Sequence, residues 1–162
     1  MKVSEKNDEG YFKSTKKAVV LTNQPYDLDN NKQLLVVPNV EFIRGMGEKI
    51  GYFDRVITFD DLEKEIIRDN KQDEVGALIG KIGINNIYRK YTKFLYLKLD
   101  SNKDKKNRIQ LTLINPENFD EIFVGDVLYD TKWIGVYDTN TFNPLFNALI
   151  NYIEENSETY HR

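Results

Sequence analysis

The chain has 162 residues, of which 40% are hydrophobic and 12% aromatic, so it is long and apolar enough to fold around a core of its own. Its 23 basic and 26 acidic residues give a formal net charge of −3, which argues against a chain whose overall charge attracts nucleic acid. No apolar run approaches the roughly 18 residues of a membrane-spanning helix. We expect neither a nucleic-acid partner nor a transmembrane segment.

The residues for most familiar catalytic chemistries are missing. Cysteine is absent, and the only histidine, His161, is next to the last residue. Thiolate nucleophiles, disulfides and thiolate metal sites are therefore excluded, and Ser-His-Asp or histidine–zinc chemistry lacks a well-placed imidazole. We expect no catalytic residue, no cofactor and no bound metal. A metal-dependent hydrolase built on the carboxylates of Asp126 and Asp130 stays open as a third hypothesis.

Polarity divides the chain into one domain and two flanks. Residues 1–16 predict a loose leader, residues 17–157 carry the apolar patterns of a single domain, and residues 158–162 predict a tail. If a signal was removed ahead of residue 1, the leader would be a linker from a lipid anchor, and the protein would be periplasmic or associated with the outer membrane. Otherwise we expect it in the cytoplasm.

Two apolar runs and a helix open the domain. The run at 18–22 predicts a strand, and a second run at 34–37 follows a turn rich in aspartate and asparagine. Helical spacing after Asn39 predicts a helix that Gly51 ends. Residues 54–59 predict a short strand.

Two further helices follow that strand. Asp60, with Glu63 three residues later, predicts a capping box for a helix over 61–69. A second helix is predicted from Asp73, with Gly83 as its left-handed end. The residues expected to face the core are Leu62, Ile66 and Ile67 in the first helix and Val75, Leu78, Ile79 and Ile82 in the second.

The second half predicts three antiparallel strands and a last helix. The strands cover 91–100, 108–114 and 119–133, with polar turns between them. Asn143 would cap the last helix and Pro144 would be its first residue. The order β-α-β-α-α-β-β-β-α indicates the α/β (α+β) class, with a single mixed sheet and helices packed on it.

Aromatic residues concentrate where the last strand connects to the last helix. They are Tyr129, Trp133, Tyr137 and Phe142. Aromatic side chains on loops are over-represented at protein interfaces, so we predict a protein-binding surface here. The alternative is that these side chains pack the last helix onto the sheet.

Carboxylates suggest a different site. Asp60 and Asp61 follow a strand, and Asp126 and Asp130, four residues apart in a strand, point to one side of the sheet. Ligands often bind at the carboxyl ends of strands in open α/β sheets, so these four residues are the candidates for a small-ligand site. The competing explanation for Asp126 and Asp130 is a strand edge kept charged against aggregation.

Three segments resemble bacterial envelope lipoprotein domains. Residues 51–66, GYFDRVITFDDLEKEI, resemble a strand-and-helix stretch of that family. Residues 74–100 are similar to its glycine-ended helix and following strand, and residues 108–130 to its paired strands. The family includes the amino-terminal domain of TolB, the penicillin-binding-protein activators and the curli-secretion lipoprotein. The lipidated cysteine of these proteins is absent here, and residues 27–38 lengthen the first connection.

The resemblance implies a non-enzymatic envelope adaptor, and it transfers no catalytic residue. Our leading hypothesis is a non-catalytic protein-binding domain of a bacterial cell-envelope (lipo)protein, with another envelope protein as its partner. The alternative is a small-ligand or nucleotide-binding α/β domain in the cytoplasm. The sequence leaves the oligomeric state open.

Overall fold

The computed structural model describes residues 3–101, 107–129 and 139–162, with the backbone alone described at 139 and 140. The helices and strands of this part of the chain are β1 (Val19–Asn23), β2 (Gln33–Val37), α1 (Glu41–Ile50), β3 (Arg55–Ile57), α2 (Phe59–Arg68), α3 (Gln72–Val75), α4 (Gly80–Lys90), β4 (Leu95–Ser101), β5 (Arg108–Ile114), β6 (Glu121–Leu128) and α5 (Thr139–Asn156).

The strands form one open sheet in the order β1-β6-β5-β4-β2-β3. β2 is parallel to both of its neighbours, β3 and β4. The pairs β4–β5, β5–β6 and β6–β1 are antiparallel. The predicted class, α+β with a single mixed sheet and helices packed on it, is confirmed. The chain has one strand more than the predicted order, because both early apolar runs form strands.

Helices cover the sheet from both sides. The connection from β2 to β3 and the connection from β3 to β4 cross the sheet in opposite directions, so right-handed crossovers place their helices on opposite faces. We call the face of α1 and α5 the first face and the face of α2–α4 the second face. Leu34 and Val36 of β2 belong to the core of the first face, and Leu35 belongs to the core of the second.

Both chain ends pack on the first face. Phe12 is 1% exposed and meets Phe146 of α5 edge to face, with 6.3 Å between the ring centroids. Tyr160 is also buried, and its hydroxyl donates to the carbonyl of Ile50 over 3.0 Å. Phe12 and Tyr160, which lie in the segments predicted as a loose leader and a tail, therefore belong to the core of the first face.

The start of α2 differs from the predicted one. Thr58 Oγ1 accepts from the backbone N–H of Asp61 over 3.2 Å, and Asp61 Oδ2 accepts from the backbone N–H of Thr58 over 3.0 Å. Thr58 is thus the N-cap, and Asp61 closes the capping box. The predicted cap at Asp60 with Glu63 was wrong because the helix begins one residue before Asp60. Ile67, predicted to face the core, is 52% exposed.

Two other helix starts also differ. Val40, and not Asn39, is the N-cap of α1, and it has no side-chain cap. The last helix begins at Thr139, so Pro144 lies inside it instead of at its first position. Both predicted starts were placed at a residue type that favours the beginning of a helix, asparagine in α1 and proline in α5. In the structure each helix begins at a different residue.

The single helix predicted from 73 to 83 is two helices. α3 ends at Gly76, whose φ of 82° is left-handed, and α4 begins at Gly80. Gly83 lies inside α4, where a Cβ would stand 2.4 Å from the carbonyl carbon of Leu78. The loop between the two helices therefore folds back onto α4. This fold leaves Ile79 84% exposed and Ile82 69% exposed, which contradicts their predicted core position.

The close approach at Gly83 predicts a cost for any side chain there. Alanine is the better helix former, yet Gly83→Ala should lower the free energy of unfolding by about 2 kcal/mol, because the Leu78 backbone would have to move. Urea unfolding measures this, with Ile82→Ala in the same helix as the control, expected within about 0.5 kcal/mol of the parent. A stabilised Gly83→Ala chain would contradict the folded-back loop.

Candidate functional site

β1 is an edge strand with an apolar, exposed sequence. It pairs with β6 on one side, and no strand of the described residues pairs with its other side. Val19, Val20 and Leu21 are 53%, 46% and 51% exposed. Consecutive apolar residues on an unpaired edge are the kind of surface that other chains add to, and many proteins cover or charge such an edge.

The pairing of β1 with β6 sets where its side chains point. Val20 lies directly opposite Gly125 of β6, and residues directly opposite each other point to the same face of a sheet. A Cβ at Gly125 would lie 3.5 Å from Leu145 of α5, so Val20 points to the first face. The register shifts between Val20 and Thr22, and this bulge leaves Leu21 without an opposite residue on β6. The edge therefore presents side chains toward both faces of the sheet.

A groove of about 550 Å³ opens beside β1 on the first face. α5 forms one wall with Pro144 and Ala148, the segment before β1 forms the other, and Val20 reaches the groove from the strand. The volume is in the range of specific binding pockets, about 300–1,000 Å³. The unpaired edge and the groove form one continuous surface, which we call the β1 site.

The charge of the groove is opposite to that of the whole chain. Lys13, Lys16 and Lys17 line it together with Glu9. Lys16 and Lys17 stand immediately before the apolar part of β1 and are exposed. In a chain of formal net charge −3, this places a local excess of positive charge at the start of the free edge.

Asparagines of α5 hold the groove wall in place. Asn147 Nδ2 donates to the carbonyl of Phe12, and Asn147 Oδ1 accepts from the Phe12 backbone N–H, both over 2.8 Å. One turn earlier, Asn143 Nδ2 donates to the carbonyl of Lys13 over 2.8 Å. Asn147 thus satisfies both backbone groups of Phe12, as a neighbouring strand would. This fixes the segment that carries the groove lysines.

The structure separates the predicted aromatic cluster. Phe142 is 3% exposed and packs edge to face on Phe42 of α1, with 5.5 Å between the ring centroids. Phe142 therefore belongs to the core of the first face. Tyr129 is half-buried and its backbone N–H donates to the carbonyl of Asn107 over 2.6 Å. Trp133 and Tyr137 lie outside the described residues.

Asp60 and Asp61 have structural partners at the start of α2. Asp61 closes the capping box and also accepts from Arg44 Nη1 over 3.4 Å. The Thr58 backbone N–H, which donates to the carboxylate, holds the pKa of Asp61 below its usual value. Asp60 is exposed and accepts from Asn39 Nδ2 over 3.3 Å.

Asp126 lies four strand positions away from these two residues. Neighbouring strands are about 4.8 Å apart, which puts β6 and the end of β3 about 19 Å from each other. Asp126 is 1% exposed, and Arg108 Nε donates to its Oδ2. It is thus part of a buried ion pair and not a solvent-facing edge charge. Asp130 lies outside the described residues, so the predicted carboxylates do not come together in the described structure.

A second cleft, of about 660 Å³, lies between the β1–β2 loop and the end of α5. Asp29 lines this cleft and accepts from the hydroxyls of Ser157, Thr159 and Tyr52 and from the backbone N–H of Glu158. Of these donors, the Ser157 hydroxyl contributes most to holding the pKa of Asp29 far below its usual value. Burial, followed by the bond to Asp29, raises the pKa of Tyr52. These bonds tie the loop to the chain end, which is a structural role.

No known family model, no curated protein and no solved structure matches this chain. The resemblance to envelope lipoprotein domains therefore stays a prediction. Among the described residues, no helix has the length and apolarity needed to cross a bilayer. The same residues contain no group of three or more histidine, aspartate or glutamate side chains that could hold a metal ion.

The sequence interpretation did not single out the β1 site. Two signals were available: the lysine pair directly before residues 18–22, which is typical of a protected edge strand, and the four-residue spacing of Asn143, Asn147 and Asn151 on one helix face. Neither signal predicts that, among the described strands, β1 pairs with β6 alone, and this pairing is what makes β1 an edge strand.

The bonds from Asn147 predict how firmly the groove wall is held. Asn147→Ala should lower the free energy of unfolding by about 2 kcal/mol and speed amide exchange at Phe12, because two backbone groups lose their partner. Asn151→Ala, which removes only the bond from the Tyr11 hydroxyl, is the matched comparison and should have the smaller effect. Equal effects of the two variants would contradict the anchoring role of Asn147.

The bonds to Asp29 predict a pH-dependent contribution to stability. Its folded-state pKa lies below the unfolded value of about 4, so the contribution is complete above about pH 4 and is lost as the pH falls through the folded-state pKa. Urea unfolding should therefore show Asp29→Asn less stable than the parent near neutral pH, with a difference that shrinks toward about pH 2. Glu158→Gln, in the same cleft, is the control. A difference that grows in acid would contradict the assignment.

Proposed function

We propose that this chain is a non-catalytic protein-binding domain that takes an extended segment of its partner as an additional strand along the free edge of β1. The observation that carries the proposal is the exposed apolar run at residues 19–21 on an edge strand. The main-chain N–H and C=O groups of such an edge can bind an extended peptide in the hydrogen-bond pattern that the sheet already uses. An added strand would also remove the apolar side chains from water.

The groove supports the same function by offering a place for side chains. In an added strand, alternate side chains point to the first face, where the groove lies against Val20 and α5. Main-chain pairing supplies affinity in this mode, and the pockets beside the edge supply specificity. The fixed wall at Phe12 keeps the groove open without the partner.

The small-ligand alternative has no comparable support. Of its described candidates, Asp60 and Asp61 lie in the first turn of α2, whereas Asp126 forms an ion pair with Arg108 about 19 Å from them. The envelope location and the envelope partner rest on the sequence resemblance and stay predictions. Strand addition at β1 needs neither of them.

A neutral extended peptide tests the proposal directly. The probe has five alternating valines and threonines, about the length of β1, with two glutamines at each end. Two-dimensional NMR should show shift changes centred on the amides of residues 13–23 and the side-chain amides of Asn147 and Asn151. Leu21→Lys should weaken binding about tenfold, because it removes an apolar contact. The control Ile79→Lys changes an apolar residue of the α3–α4 loop that is more exposed than Leu21, and it should leave binding unchanged.

Three results would contradict strand addition to a partner. The first is no binding up to about 5 mM peptide. The second is a set of shift changes centred on β3 or on the α3–α4 loop. The third is a dimer of the free chain, seen by sedimentation, that Leu21→Lys dissociates, since a second copy would then occupy the edge.

A further inference from the structure

The occupant of the β1 site can be specified further from its charges. We infer that the segment recognised there is acidic, with carboxylates that lie beside the start of β1 and an apolar residue next to Val20. This inference rests on the proposed strand addition and adds the chemical class of the partner segment.

The lysines stand where an added strand would pass. Lys16 and Lys17 come directly before Ala18 and the first residue of β1, and both line the groove. Lys13 lines the same groove, and the bond from Asn143 to its carbonyl holds its backbone. A strand paired with β1 therefore brings the side chains at one of its ends close to three ammonium groups, with Glu9 the acidic residue of the lining.

The apolar part of the groove lies next to these charges. Val20 faces Pro144 and Ala148 across the groove, and these side chains contribute no charge. A single apolar side chain of the partner can therefore be buried here while its neighbours meet the lysines. The site thus favours carboxylates at one end of the segment and β-branched or other apolar residues along the rest of it.

A second copy of this chain fits the charges less well. In an antiparallel pair of fully overlapped β1 strands, Lys17 and Lys16 of one copy lie opposite Pro25 and Tyr26 of the other, and neither is acidic. A parallel pair would bring the lysines of the two copies together. Charge complementarity therefore selects a different, acidic chain as the occupant.

The experiment compares three peptides that differ only in charge. Each peptide has the valine–threonine core of the neutral probe and carries two glutamates, two glutamines or two lysines at one end. Because the added strand could run in either direction, each peptide is made in two versions, with these two residues at the amino end or at the carboxyl end. Fluorescence anisotropy measures binding in about 50 mM and about 500 mM NaCl. The glutamate peptide should bind about fivefold more tightly than the glutamine peptide in low salt and within about twofold of it in high salt.

Two double variants locate the charge effect. Lys16→Gln/Lys17→Gln should remove most of the preference for the glutamate peptide over the glutamine peptide, because two of the three lysines of the groove lose their charge. Lys64→Gln/Lys81→Gln removes the same charge from α2 and α4, on the second face, and should keep the preference. If glutamate and glutamine peptides bind equally at β1, or the lysine peptide binds best, the acidic specificity is refuted and strand addition stands. If no peptide binds, strand addition itself fails.

Discussion

The burial of β2 on both of its sides constrains the rest of this fold. Leu34, Leu35 and Val36 are fully buried in succession, so the strand needs a neighbour on each edge and a helical layer on each face. The right-handed crossovers from β2 to β3 and from β3 to β4 supply both neighbouring strands and place helices on both faces of this half of the sheet. The antiparallel strands complete the other half, and their order leaves β1 at the far edge, where its apolar residues stay exposed.

The same architecture explains why the β1 site is both exposed and ordered. On the first face α5 packs mainly against β6, and Asn147 uses its side chain to hold the segment that precedes β1. The space left between them is the groove. Lysines before a strand and a bulge within it are common protections against unwanted pairing. Here the lysines would also select which chain can add to the edge, because they attract a segment that carries carboxylates and repel a basic segment.

The sequence predicts the regular elements well and their boundaries poorly. Alternation at 108–114 and helical spacing at 40–50 correspond to β5 and α1 because short-range periodicity decides them. Apolar spacing also predicted one helix through Gly76 and Gly80, where the left-handed backbone at Gly76 divides it. Capping residues were ambiguous at Thr58 and Asp60. The β1 site depends on which distant strand pairs with β1 and on which helix lies over it, and local pattern contains neither fact.

Disulfide trapping shows whether the outer edge of β1 pairs with an extended chain. The chain has no cysteine, so Leu21→Cys and Ile79→Cys each introduce a single thiol at a well-exposed position. The neutral peptide, with a central cysteine activated as a mixed disulfide, is allowed to react with each variant. Each rate is divided by the rate with a small disulfide reagent. Strand addition predicts a normalised rate at Leu21→Cys about tenfold above that at Ile79→Cys, because pairing raises the local concentration of the peptide disulfide. Equal normalised rates would contradict it.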